Sequence, residues 1–298
     1  MTKLDGDEGD PRATGSATQT LDRAIQLVRF ISASRGAGMG LSDLVRASGL
    51  TKPTARRLLL SLIDNGLIEQ DEQNRLYHLG LETYMFGVIA DERFGIQRLA
   101  ADSLVRLAAA SGDAALLSVH RGLETICLAR EEGSYPLRSH VLQAGDRHPL
   151  GAGAAGVAML AALPDEQVEE VLSVHEERLI AAYQLPEELR RQVAETRRSG
   201  YALNAGYVFK GSWGVAVAFR DLRSNTHAAL TIAGVESRFT GSRIQELVNL
   251  LQDEKKRLEQ FLSKRSGPLP SMGVQPVAAS PTRQSGRKPI QKGDESHV

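Results

Sequence analysis

The stretch Leu41 to Gly80, LSDLVRASGLTKPTARRLLLSLIDNGLIEQDEQNRLYHLG, constrains this chain more than any other. Its spacing predicts two short helices around a tight turn, then a two-stranded wing. In the first helix Leu41, Leu44, Val45 and Leu50 supply the apolar spacing, and Ser42 can cap the orphan N–H groups. Gly49 suits the left-handed turn that ends this helix. Thr51 can cap the second helix, and Pro53 falls in its first turn, where a missing N–H costs little. Leu58, Leu59, Leu62 and Ile63 form an inward stripe, and Asn65-Gly66 stops the helix. Lys52, Thr54, Arg56 and Arg57 then occupy the early turns, where a recognition helix presents side chains to a major groove, with Ser42 beside them. The competing reading is a small helical hairpin with a solvated basic face. The strands that follow so directly argue against it.

Those strands are Leu67–Gln70 and Arg75–Leu79, joined by the polar turn Asp71-Glu72-Gln73-Asn74. Arg75 leaves the turn where it can reach a phosphate or a minor groove. An earlier helix carries Leu21, Ala24, Ile25, Val28 and Ile31 at helical spacing, a pattern expected to form the back of a small domain. From Leu21 to Ile68, seven Lys/Arg face three Asp/Glu, whereas the whole chain balances 36 against 36. Local positive charge in a neutral chain is what a discrete nucleic-acid face requires.

The chain has 298 residues, enough for one or two domains with buried cores. No apolar run approaches the roughly 18 to 20 residues that span a bilayer, so no membrane partner is expected. The segment MTKLDGDEGDPRATGSATQT is acidic and small-residue-rich, without an apolar signal core, and is expected to be a disordered leader. Cys127 is the single cysteine, which excludes an internal disulfide and any cysteine-cluster metal site, and a reducing cytoplasm fits.

Further along, Leu81–Ala90 reads as a linker helix with Leu81, Tyr84, Met85, Val88 and Ile89 at helical spacing, a face that suggests packing against a partner subunit. Gln97–Ser111 is a second amphipathic helix. Strands are expected at Ala115–His120, Thr125–Glu131, Arg138–Leu142, Val215–Arg220 and Ala228–Ala233. Helices are expected at Ala154–Leu163, Asp165–Leu172, Glu187–Gly200 and Ser242–Leu262. The order lacks regular βαβ phasing, so the fold class is α+β: an N-terminal winged helix-turn-helix, a linker helix, and a C-terminal mixed α/β domain of the GAF/PAS kind. Residues 266–298, rich in Pro, Gly and Ser with scattered basic residues, read as a disordered tail.

Several enzyme-like signals are weak. Gly151-Ala152-Gly153-Ala154-Ala155-Gly156 matches GxGxxG literally, but Asp146–Leu150 before it does not form a buried strand. The same small-residue turn leaves space and free N–H groups for a carboxylate at a helix N-terminus. Gly211-Ser212-Trp213-Gly214 lacks nucleophile-elbow spacing. The seven histidines show no paired ligand spacing, and Cys127, between Ile126 and Leu128, reads as a small core residue. No cofactor, metal or catalytic residue is expected.

The runs TLDRAIQLVRFI, LSDLVRASGLTKPTARRLLLSLIDNGLIEQ and NRLYHLG resemble the N-terminal domain of the IclR family of bacterial transcriptional regulators. AGDRHPLGAGAAGVAMLAALP, RRSGYALNAGYVFKGSWGVAVAF and THAALTIAGVESRFTGSRIQELVNLL resemble successive landmarks of that family's ligand-binding domain, in the right order, from roughly Thr20 to Lys264. The resemblance implies a leader over 1–19, a DNA-binding domain over 20–80, a linker helix over 81–96, an effector-binding and oligomerisation domain over 97–265, and a tail beyond. It also implies a regulator, repressor or activator, whose affinity for double-stranded operator DNA responds to a small effector.

Carried over position by position, the family's pocket corresponds here to Gly153, Ala154 and Ala155 in the turn before the cavity helix. An often acidic position is Asn204, a frequent cysteine is Gly214 with Ser212 two residues earlier, and two inward serines become Thr231 and Ala233. Leu137, His140 and His148 fall where other lining residues are expected. Members that sense small oxoacids present several donors. This chain has lost a cysteine, a serine and an acid and gained space at Gly214, which favours a larger, partly apolar ligand. An aromatic or medium-sized carboxylic acid is the expected effector, with His140 or His148 as a polar partner. Trp213 can instead fill the space beside Gly214. The recognition helices must address half-sites about 34 Å apart, which implies a homodimer set by the linker helix. A dimer of dimers is left open, and RNA polymerase is a further partner if the protein activates. An enzyme with an accessory DNA-binding domain and a constitutive architectural DNA-binding protein are the alternatives.

Overall fold

A computed structural model describes residues 11–137, 142–174, 179–180, 185–221 and 225–264. The N-terminal part comprises α1 (Pro11–Ala33), α2 (Leu41–Ser48), α3 (Lys52–Asp64), β1 (Ile68–Gln70) and β2 (Tyr77–Leu79). Leu27, Ile31, Leu44, Leu58, Leu59, Leu62, Ile68 and Tyr77 form its core. Residues 11–19, expected to lack structure, belong to the first turns of α1. The inward face of α1 runs through Ala24, Leu27, Val28 and Ile31. Leu21 and Ile25, expected on that face, are exposed, because the helical period that aligns Leu27 with Ile31 turns them outward.

Gly40, not Ser42, is the N-cap of α2; the helix begins at Leu41, so Ser42 sits one residue too late to cap it. Gly49 ends α2 with φ +66°. Thr51 is the N-cap of α3, but its hydroxyl meets that of Thr54 at 2.9 Å and makes no capping bond to the backbone. Asn65 closes α3. The wing strands pair antiparallel, Ile68 opposite Leu79 and Gln70 opposite Tyr77. Arg75 has φ +61° and so belongs to the turn rather than the second strand. Gly80 follows, where a Cβ would stand 2.2 Å from the Gly66 carbonyl oxygen; only glycine lets wing and linker meet there.

The linker helix α4 (Leu81–Phe94) runs four residues beyond its expected end, and α5 (Ile96–Ser111) follows. Next come β3 (Ala114–Arg121), β4 (Glu124–Glu131), β5 (Arg147–Pro149), α6 (Gly153–Ala161), α7 (Asp165–Val174), α8 (Pro186–Ser199), β6 (Ala202–Ala205), β7 (Ser212–Asp221), β8 (Thr226–Val235) and α9 (Gly241–Lys264). Among the described residues six strands form one sheet in the order β5-β4-β3-β8-β7-β6, each pairing antiparallel. Strands β5 and β6, both at sheet edges and short, were not anticipated. Of the expected strand Arg138–Leu142, residues 138–141 lie outside the described residues, and Leu142 is not in a strand. The tail beyond Lys264 and residues 1–10 also lie outside them.

Period-2 alternation sends large and small residues to opposite faces of the sheet. Val215, Val217 and Phe219 of β7 with Ala228, Leu230 and Ile232 of β8 pack under α5 and α9. Ala216 and Ala229 face α6, α7 and α8. Small residues on this second face let α6, apolar all round and buried almost throughout, lie close to the sheet.

Candidate functional site

On α3, Lys52, Arg56 and Arg57 are exposed and Thr54 is half-buried, while Ala55, Leu58, Leu59 and Leu62 hold the opposite side of the helix in the core. The basic side chains are therefore presented outward by a helix fixed from behind. Ser42 is exposed near the start of α2. Arg75 is exposed at the wing, in a turn built by the Asp71 carboxylate, which accepts the backbone N–H groups of Gln73 at 2.7 Å and Asn74 at 3.1 Å. The Gln70 side chain donates to the Arg75 carbonyl at 2.9 Å. These are the elements a winged helix-turn-helix brings to a duplex.

In the second domain a pocket lies between α6 and the sheet. Gly153, Ala154 and Ala155 line it from the first turn of α6, whose N-terminal N–H groups have no intrahelical acceptor and no side-chain cap. Asn204, Ser212, Gly214, Thr231 and Ala233 line it from the sheet, and His148 from β5. Burial pushes the His148 imidazole below its ordinary value, while Asp146 nearby acts in the opposite direction. Among the described residues the buried Thr125 and Thr231 hydroxyls have no hydrogen-bond partner, and both line the same pocket.

Some expected residues are placed elsewhere. Leu137 is exposed and borders a separate small recess, because the chain after β4 carries it away from the sheet face; His140 lies outside the described residues. Trp213 lines the pocket without filling it. Its ring packs against Phe239 with centroids 6.3 Å apart, since neighbours on a strand face opposite ways and Gly214 takes the pocket side. A Cβ at Gly214 would find Ala154 Cβ and Thr231 Cγ2 each at 3.7 Å, so glycine keeps that gap open. Residues before the GxGxxG run do form a strand, β5, but it is an antiparallel edge strand and not the buried parallel strand a dinucleotide site needs.

Arg130, Thr125, Leu116, Leu142, Ala152 and Val208 were not anticipated as lining residues. The Arg130 side chain is 5% exposed and donates from Nε to Glu132 Oε1 at 2.8 Å and from Nη1 to the Leu142 carbonyl at 2.8 Å. Cys127 is buried, and burial pushes its thiol up to about 11, which suits a core residue and not a nucleophile. Among the described residues, no group of His, Cys, Asp and Glu is arranged to hold a metal ion, and no helix is long and apolar enough to cross a membrane.

The family model for the bacterial transcriptional regulator IclR C-terminal region matches residues 90–259, and the IclR helix-turn-helix domain matches residues 20–72. The transcriptional repressor IclR of Escherichia coli is 28% identical over 240 residues, covering 78% of this chain and 86% of that protein. The regulator KipR of Bacillus subtilis is 27% identical over 215 residues, covering 72% and 85%. A crystal structure of a putative IclR regulator from Silicibacter superposes with a TM-score of 0.69 at 24% identity, covering 84% of this chain and 98% of its own. An IclR homologue from Microbacterium hydrocarbonoxydans, crystallised with 4-hydroxybenzoate, gives a TM-score of 0.68 at 23% identity, covering 82% and 99%. With its winged helix-turn-helix and pocket-bearing sheet domain, the chain belongs to the IclR family of bacterial transcriptional regulators: a DNA-binding regulator and not an enzyme.

Proposed function

We propose that this regulator binds operator DNA as a homodimer through α3 and the wing, and that a carboxylic acid bound beneath α6 changes its operator affinity. Lys52, Thr54, Arg56, Arg57, Arg75 and Ser42 are the DNA-facing residues in this reading. It divides the chain into a DNA-binding domain over 20–80, a linker over 81–96 and an effector domain over 97–265. The observation that carries the ligand half is the pocket: apolar walls, the open first turn of α6, and the buried unpartnered hydroxyls of Thr125 and Thr231. Unsatisfied buried hydroxyls are costly, so a ligand that satisfies them gains by entering. An aromatic or medium-sized acid fits the space beside Gly214 better than a two- or three-carbon oxoacid. The Microbacterium homologue with 4-hydroxybenzoate supports the same size class.

Dimerisation is supported by α4, where Leu81, Tyr84, Phe86 and Ile89 are all more than half exposed, with Met85 and Val88 beside them. A monomer rarely leaves such a face uncovered. An effector with different affinity for two dimer arrangements shifts the spacing of the recognition helices and hence operator affinity. Work on a chromosome sets the cytoplasm as its place. A repressor is the direction suggested by relatives such as the E. coli protein; an activator would add RNA polymerase as a partner. A constitutive architectural role would call for a pocket filled by Trp213, and the packing of Trp213 on Phe239 argues against it. Calorimetry of the full chain against benzoate, 4-hydroxybenzoate, glyoxylate and pyruvate tests the ligand half. Tighter binding of an aromatic acid is expected, and tighter binding of glyoxylate or pyruvate would overturn the size class.

A further inference from the structure

We infer that Leu60 of α3 determines sequence preference by contact with a thymine 5-methyl group in the major groove; this rests on the DNA-binding reading above. Of the four leucines of α3, Leu58, Leu59 and Leu62 belong to the core, whereas Leu60 is 51% exposed. At 3.6 residues per turn the exposed residues Lys52, Pro53, Arg56, Arg57, Ser61 and Asp64 span an arc of about 180°. Leu60 falls about 80° round from Lys52, near the middle of that arc. Arg56 stands four residues before it and Arg57 three, the two spacings that make side chains neighbours on a helix surface. A single exposed leucine is ordinary on a solvated surface. One set beside two guanidinium groups at the centre of a recognition face leaves water as soon as those groups engage a duplex.

The chemistry of the groove decides what such a side chain can meet. Every base pair displays hydrogen-bonding groups at its major-groove edge, and thymine adds a 5-methyl group. Leucine has no donor or acceptor. Pressed against a guanine, adenine or cytosine edge, it would cover polar atoms without replacing their bonds to water. Against the methyl group it removes apolar surface from water on both sides. Lys52, Arg56 and Arg57 supply charge, which draws any duplex; Leu60 adds none, so its contribution is discrimination. Asp64, four residues beyond Leu60 on the same row, carries a charge that phosphate repels and so ends the run of residues that can face the duplex.

The test uses the full chain and duplexes that it selects from a random-sequence pool. In the selected site each thymine in turn is replaced by uracil, which lacks only the 5-methyl group. At one T·A pair in each half-site the exchange should weaken binding by the natural chain about fourfold, the worth of one buried methyl group. Leu60→Ala should bind the thymine site less tightly and be indifferent to that same exchange, the mark of a coupled pair. Leu60→Met, which keeps the apolar reach, should retain the discrimination. The slope of log affinity against log salt should be unchanged in Leu60→Ala and shallower in Arg57→Ala. Because Leu60 is exposed and alanine is the better helix former, Leu60→Ala should keep the thermal stability of the natural chain. Uracil without effect at every position, or an equal loss on exchange for the natural chain and Leu60→Ala, would overturn the methyl contact alone. A natural chain that selects no duplex would overturn the DNA-binding reading and the contact with it.

Discussion

Arg35, in the turn after α1, donates to the Asp146 carboxylate at 2.5 Å, and Asp146 lies two residues before His148 of the pocket wall. Arg35 holds φ +53°, a strained conformation for a residue with a Cβ. Asp146 is anchored in turn: its second carboxylate oxygen accepts the Gln143 N–H at 2.8 Å, and its carbonyl accepts the Cys127 N–H at 2.9 Å. A DNA-binding element and a pocket-lining strand thus share an ion pair. Arg35→Gly should leave stability within about 1 kcal/mol, because the Arg35 side chain is half exposed and the lost pair is offset by relief of strain. It should nevertheless blunt the response of operator affinity to a bound acid. Operator titrations with and without an acid that calorimetry shows to bind would read this; an unchanged response would detach the pair from signalling.

Asp113 is a buried carboxylate of the second domain. Its side chain is 2% exposed, Arg238 donates to Oδ1 at 2.6 Å, and Arg238 stacks over Tyr135 at 4.1 Å from the ring centroid. Arg243 stands further off, at 3.6 Å. Removal of Arg238 strands a buried charge that Arg243 only partly compensates, so Arg238→Ala should destabilise the fold by about 3 kcal/mol in denaturant unfolding. A loss below about 1 kcal/mol would mean that Asp113 finds other partners.

At Gly214 a Cβ would meet its neighbours only at ordinary contact distances, the nearest being the Ile232 carbonyl at 3.5 Å. Gly214→Ala should therefore fold normally and act only by filling the gap between α6 and the sheet. Affinity for aromatic acids is expected to fall about tenfold, as one methyl group in a pocket does elsewhere, with smaller effect on glyoxylate. Parallel calorimetry of the two ligand sizes would check it.

Burial lowers the folded-state values of His148 and His227, the latter also through His120 and Arg220. Each is harder to protonate folded than unfolded, so the unfolded chain binds more protons once pH drops below about 6.5. Stability from these two sites is thus present above that pH and lost as pH falls through their depressed folded values. Thermal unfolding between pH 7.5 and 5 should show the decline, and His148→Gln with His227→Gln should flatten it. The same protonation of His148 should tighten carboxylate binding over that interval.

Where local pattern and tertiary placement agreed, the residues spoke plainly. The inward stripe of α3 and the glycine turn after α2 are local, and the alternation of β7 and β8 places Gly214, Thr231 and Ala233 on one face without ambiguity. Arg130 was hidden by a bulge. Leu117 pairs with Ala129 but Ser118 pairs with Cys127, so Leu128 is skipped and the strand's facing inverts beyond it. Strict alternation from Thr125 and Cys127 would have sent Arg130 away from the pocket. The short strands β5 and β6 have too few residues to show a period, and each owes its form to the neighbour it pairs with. Leu137 failed for the opposite reason: it follows the last strand residue, where no period constrains direction.

If α3 reads DNA through its exposed basic side chains, footprinting on the DNA upstream of the protein's own gene will show it. The full chain should protect a near-palindrome, lose that protection as salt rises, and fail to protect it with Arg57→Ala. Absence of protection at low salt, together with no binding to a pool of genomic fragments, would mean that α3 does not read DNA.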